Sequence, residues 1–238
     1  DAMTERPILF SGPMVRAILD GRKTQTRRVV TPVRGYEHNN ICRPDMAADP
    51  GSVWWHGASE RVGCLQECPY GVPGDRLWVR EAFRQHPGSM SVHYRADADE
   101  VSGGPWRPSI FMPRWASRIT LEVTGVRVER LQDISLEDAR AEGIPQTAGE
   151  AAAVGLLDMR KTPGYEWDNK TSIENFASGW DHINGKRLPA RFRRPFKREA
   201  QKPLKAGLRG VLHGAPARTP YAWESNPWVW VVSFKRAA

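Results

Sequence analysis

A chain of 238 residues, 40% hydrophobic and 26% charged, can bury a substantial core and has a globular rather than a disordered or fibrous composition. Its longest apolar run, "WVWVV" at residues 228–232, is far short of the length a membrane-spanning helix needs. The net charge of +8 is local, because residues 186–218 hold eleven Lys or Arg against the single acid Glu199 and leave the remainder slightly acidic.

The N-terminus shows no apolar leader, and three Cys form no regular framework, so the expected setting is cytoplasmic and reducing, with no membrane partner. Asp1 and Ala2, ahead of Met3, read as an appended remnant and are set aside. Ten Trp are many for this length; their flat faces serve cores and base-stacking platforms alike.

In chain order, "RPILF" predicts a short strand. "SGPMVRAILDG" predicts a helix, with Ser11 as a cap, Pro13 in the first turn and Gly21 as the stop. Met14, Val15, Ile18 and Leu19 mark its buried face. "TQTRRVV" is the next strand. Residues 31–73 read as a long loop insertion with a hairpin around "SVWWHG". "GDRLWVREAF" is a turn and a strand, "VHYRAD" a second short strand, and residues 101–117 a Trp/Arg/Pro loop. "SRITLEVTGVRVERL" alternates with β period around Gly125, as one long bent strand or a hairpin. "SLEDARAEG" carries a capping box, Ser135 to Asp138, and a stop at Gly143. Residues 145–170 read as a variable loop, partly helical in "GEAAAVGLLDM". "SIENFASGWDHING" predicts a helix with Ile173, Phe176, Trp180 and Ile183 on one face. A basic, Pro-rich arm follows at about 186–222, and "NPWVWVVSFKR" is the closing strand. This order fits a small, mostly antiparallel barrel with helices at its mouth.

Chemistry concentrates in "GRKTQTRR", residues 21–28. Strand alternation puts Thr24, Thr26 and Arg28 on one face, with Lys23 at the helix–strand junction. A Thr beside a desolvated Lys is a nucleophile beside an amine base; the same residues also make an ordinary solvated strand start. Glu142 ends a short helix, where the dipole disfavours a carboxylate. Glu81, between Trp78 and Phe83, suits either a site or a structural ion pair. "GPWRPSIFMPRWASR" interleaves Trp106, Phe111 and Trp115 with Arg107, Arg114 and Arg118, planar groups that stack on bases or pack a core. Cys64 and Cys68, with Cys42, His38 and His56 upstream, match no standard zinc spacing, so neither metal nor cofactor is expected. The basic arm, with Arg191, Arg193, Arg194, Lys197, Arg198, Lys202 and Lys205, suits a phosphate backbone.

"ILDGRKTQTRR", "GDRLWVREAF", "LQDISLEDARAEGI" and "NPWVWVVSFKR", in that order, resemble the ASCH domain proteins often carried by bacteriophages and prophages. The likeness covers most of residues 6–144 and 172–236. It implies one α+β domain over 6–236, a PUA-like small β-barrel with flanking helices, long loop insertions, and a cleft for RNA or a modified base. Some ASCH proteins are amidohydrolases that deacetylate N4-acetylcytidine. Their motif falls here on Lys23 as base, Thr26 as nucleophile, Glu142 as substrate-positioning group or acid, and Arg28 as oxyanion partner. Arg22, Thr24, Trp78, Glu81 and Trp115 are the further substrate-binding candidates. The expected ligand is a modified nucleoside or RNA, with DNA possible. The alternatives are a non-catalytic RNA or modified-DNA reader, or a ribonuclease using Lys23 and Glu142. This chain is about twice the size of a minimal barrel.

Overall fold

The computed structural model describes residues 3–31, 43–46, 51–56, 63–85, 91–97, 105–144, 172–184 and 221–237. The variable loop at 145–170, its helical stretch included, and the arm residues Arg191, Arg193, Arg194, Lys197, Arg198, Lys202 and Lys205 lie outside them.

The fold is α+β and mostly antiparallel. β1 (Glu5–Leu9) leads into α1 (Gly12–Leu19) and then β2 (Gln25–Val29). β3 (Arg43–Met46), β4 (Ser52–His56) and β5 (Gly63–Glu67) follow, then β6 (Arg76–Arg80), β7 (Phe83–Gln85) and β8 (Val92–Tyr94). β9 (Thr120–Arg130), α2 (Leu136–Ala141), α3 (Ser172–Asn184) and β10 (Trp228–Arg236) complete the described chain. The central sheet runs β1-β6-β9-β10-β2, with β1 parallel to β6 and the other pairs antiparallel.

Among the described residues the ladder of this sheet is open, with β1 and β2 as its edges, so the expected closed barrel is not formed. The sheet curls far enough for one side chain to join its two edges: the Arg28 guanidinium on β2 donates to the Leu9 carbonyl on β1 at 2.8 Å. α1 makes the connection, and its buried Val15, Ala17 and Ile18 explain why its apolar periodicity is helical.

Within the expected loop at 31–73, the hairpin expected around "SVWWHG" falls on β4, and β3 and β5 correct the loop reading by flanking it in an antiparallel three-stranded sheet. Val53 and Trp55 of β4 are fully buried in the main core, and Trp55 meets Trp228 edge-on at 5.7 Å. Gly and Pro in the connections masked the two flanking strands; burial of alternate residues on β4 secures the sheet.

β9 is one strand, not a hairpin. Gly125 stands opposite Ser233, and the next pair is Val123 with Phe234, so Thr124 is the extra residue of a bulge. β10 is buried on both faces. Trp230, Val232 and Phe234 enter the main core with Ile8, Leu77 and Leu121, while Val229 and Val231 pack beneath Leu131, Phe176 and Trp180. That second layer is α2 and α3. No helix among the described residues is long and apolar enough to cross a membrane.

Candidate active site

The site is assembled where α1 turns into β2 and where α2 ends. Ser135 caps α2 by accepting from the Asp138 amide at 3.0 Å, as the capping box predicts. α2 stops at Glu142 because Gly143 takes φ +80°, and a Cβ there would lie 2.9 Å from the Cβ atoms of both Lys23 and Ala17. Only glycine lets the chain approach this closely. The Glu142 backbone therefore bridges to Lys23, and the Thr24 amide donates to the Ala141 carbonyl at 2.8 Å.

Lys23 and Glu142, 119 residues apart, meet as a buried ion pair. Lys23 Nζ donates to Glu142 Oε2 at 2.7 Å, to the Glu142 carbonyl at 2.9 Å and to the Gln25 carbonyl at 2.7 Å. Its side chain is wholly buried. All three of its donors are thus engaged. Burial pushes the Lys23 amine below its ordinary range; Glu142 opposes that, and the nearby Arg28 and Arg27 cations reinforce it.

Behind the pair stands a residue that sequence reasoning missed. The Arg27 side chain is fully buried. It donates to Glu129 Oε1 at 3.0 Å, Asp138 Oδ2 at 3.0 Å, Gln25 Oε1 at 2.8 Å and Glu142 Oε1 at 3.3 Å. Arg127 binds the same Glu129 and Asp138 at 3.0 and 2.9 Å. Burial alone would raise the Asp138 carboxyl, but Arg127 and Arg27 outweigh it and hold it low. The network contains three cations and three carboxylates. Strand parity was its available signal, because Gln25 and Arg27 share the face opposite Thr26, and Arg127 and Glu129 share a face of β9.

A cleft of about 150 Å3 opens beside this network. Thr26, Arg27 and Glu142 line it at one end; Met14, Ile144, Phe176 and Trp180 supply apolar walls. The volume suits one six-membered ring. It lies along the edge of β2 that β10 does not cover. The β2–β10 ladder uses the Val30 amide to the Trp228 carbonyl and the Phe234 amide to the Thr24 carbonyl. By alternation, the backbone groups of Arg27 face away from β10. Thr26 is buried and lines the cleft. No hydrogen bond links it to Lys23.

The other expected residues are placed as follows. Arg28 lines the cleft, bonds Leu9 and lies over the Phe10 ring, with 5.3 Å to its centroid. Arg22 pairs with Asp20 at 2.8 Å beside the cleft, and Thr24 is exposed. Glu81 is buried and held by Arg118 at 2.9 and 3.2 Å, an internal ion pair away from the cleft. Trp78 and Trp115 stand outside the cleft on the β6 side of the sheet. Cys68 is buried in the main core, which pushes its thiol up to about 11, and His56 pairs with Asp45. Among the described residues no set of three metal-ligating side chains is gathered.

No protein-family model, curated protein or solved structure matches this chain.

Proposed function

We propose that this protein is an amidohydrolase that removes an acyl group from the exocyclic amine of a cytosine-type base, on a PUA-like scaffold. The observation that carries the reading is the buried Lys23–Glu142 pair beside a ring-sized cleft lined by Thr26. Burial favours the neutral amine of Lys23, and the 2.7 Å contact lets one proton pass between Lys23 and Glu142.

In the acylation step Lys23, released from the Gln25 carbonyl, takes the Thr26 proton as the hydroxyl attacks the acyl carbon. The C–N bond breaks, and Glu142 gives its proton to the departing amine. Lys23 and Glu142 are then the ammonium–carboxylate pair. Water next attacks the Thr26 ester, giving its proton to Glu142 while Lys23 returns one to Thr26. Acid is released and the neutral pair is restored. Arg28, at the cleft wall, suits the developing oxyanion.

The test is acetate release from N4-acetylcytidine by wild type, Thr26→Val and Glu142→Gln. Thr26→Val is close to isosteric, so it should stay folded and lose at least about 100-fold in kcat. Wild-type kcat in Thr26→Val refutes the nucleophile.

A second reading is a reader of modified bases in RNA or DNA, with the basic arm on phosphates. It is favoured by the full engagement of the three Lys23 donors, which suits a rigid wall. Saturable binding of N4-acetylcytidine with no turnover would decide for it.

A further inference from the structure

A second surface lies outside the cleft and is not used by the proposed chemistry. Residues 105–118 cross the β6 side of the sheet in two short 3-10 turns, Ser109–Phe111 and Arg114–Ala116. Met112 and Ala116 anchor them, buried in a third apolar cluster with Phe83. The anchoring leaves three large side chains outside: Ile110 is 58% exposed, Phe111 61% and Trp115 57%. A folded chain seldom leaves two aromatic rings this open on one short segment, so the patch calls for a partner.

The patch is also cationic. The Arg80 and Arg114 guanidinium carbons lie 5.4 and 5.9 Å from the centre of the Trp78 ring. Arg107 lies 5.4 Å from the centre of Phe83 and has no carboxylate partner among the described residues. Arg80 donates to a neutral acceptor, the Ile110 carbonyl, and has no carboxylate partner among the described residues. Among the described residues Arg114 is the one member of this group paired to a carboxylate, Glu5 at 3.0 Å.

The patch and the cleft are joined. Arg28 in the cleft wall binds the Leu9 carbonyl, Leu9 is the register partner of Arg80, and Arg80 holds Ile110. Leu9 itself is 44% exposed between them. The cleft has room for one ring, so the sugar and its neighbours on a strand must lie outside it.

We infer that Phe111 and Trp115, flanked by Arg80, Arg107 and Arg114, form a stacking platform for single-stranded nucleic acid whose neighbouring base enters the cleft. The inference rests on the base-directed reading of the cleft. Alternating flat apolar faces and guanidinium groups complement stacked bases and phosphates together. Such a platform makes a polynucleotide, not the free nucleoside, the preferred ligand.

The test uses the full chain and a fluorescein-labelled 15-nucleotide uridine oligomer, read by anisotropy over a salt series. Both rings are exposed, so Phe111→Ala/Trp115→Ala should fold as wild type. The double variant should bind the oligomer at least about tenfold more weakly at every salt concentration, with the slope against salt unchanged, because stacking releases no counterions. Its turnover of free N4-acetylcytidine should equal that of wild type. Oligomer affinity unaltered by the double substitution overturns the platform. So does loss of binding to vesicles of anionic phospholipid with oligomer binding intact, which would make the patch a membrane anchor. Failure of wild type to turn over the nucleoside would instead count against the hydrolase reading and leave the binding result standing.

Discussion

Replacing Lys23 with Met tests the centre of the site. The substitution keeps most of the aliphatic stem, so little cavity forms. It strips a donor from the Gln25 carbonyl, the Glu142 carbonyl and Glu142 Oε2, held at 2.7, 2.9 and 2.7 Å. Each buried acceptor left alone costs about 1–3 kcal/mol. Among the described residues the Glu142 carboxylate keeps one partner, Arg27, at 3.3 Å. Breaking one side of a buried pair costs about 3–5 kcal/mol in total, and the lower end applies because Arg27 remains. A loss of about 3 kcal/mol lowers the melting temperature of a chain this size by about 6–12 °C. Urea unfolding at pH 7, followed by Trp fluorescence, measures it. The pH dependence supplies a second arm. The Lys23 amine is depressed in the folded state from its ordinary 10.5, so between its folded value and 10.5 the unfolded chain binds more protons. Stability from this group is therefore complete above 10.5 and is lost as pH falls through the folded value. The gap between wild type and Lys23→Met should widen as pH climbs toward 10.5. A difference under about 1 kcal/mol, or stability curves parallel in pH, would refute a desolvated amine held by Glu142.

Arg27→Met should be destabilising by about 3–5 kcal/mol in urea unfolding, since it removes one cation from three buried or half-buried carboxylates. Arg27→Lys should not restore it, because one ammonium cannot reach Glu129, Asp138, Gln25 and Glu142 together; rescue by Lys would show that charge alone matters. Arg118→Met leaves Glu81 buried without its guanidinium. Burial already raises the Glu81 carboxyl above 4.5 despite Arg118. Its contribution is thus complete below 4.5 and lost as pH rises through the folded value. The variant's deficit should be about 3–5 kcal/mol at pH 7 and shrink toward pH 4.5, with a pH-independent deficit as the contrary result. Under the hydrolase reading, Lys23 and Glu142 share the one proton that serves as base and acid in turn, so wild-type kcat should fall as pH rises through the folded value of the Lys23 amine, below 10.5; a kcat that climbs across that range would remove Glu142 as the acid.

Much of the fold was legible because local rules carry it. α1 announces itself through Pro13, Gly21 and its apolar spacing, α2 through Ser135 and Asp138, and β10 through its unbroken Trp/Val run, which is what burial on both faces demands. Within 31–73 the hairpin strand "SVWWH", β4, was legible, and β3 and β5 were not. Their sequence is interrupted by Gly, Pro and polar residues, and only pairing to β4, docked on the main core through Val53 and Trp55, makes them strands.

The site divides along the same line. Sequence alone determined that Lys23, Thr26 and Arg28 lie within one turn-and-strand unit, and that Glu142 ends a capped helix, because these are features of short range. Tertiary structure decided the rest. It closed a separation of 119 residues through the glycine at 143, buried Arg27 among three carboxylates, and used Phe176 and Trp180 of α3 as the cleft wall. It also turned Glu81 inward onto Arg118 and left Phe111 and Trp115 outside. Spacing cannot say which of two charged neighbours on a strand is buried; that depends on which face the helices cover, and the helices come from remote parts of the chain.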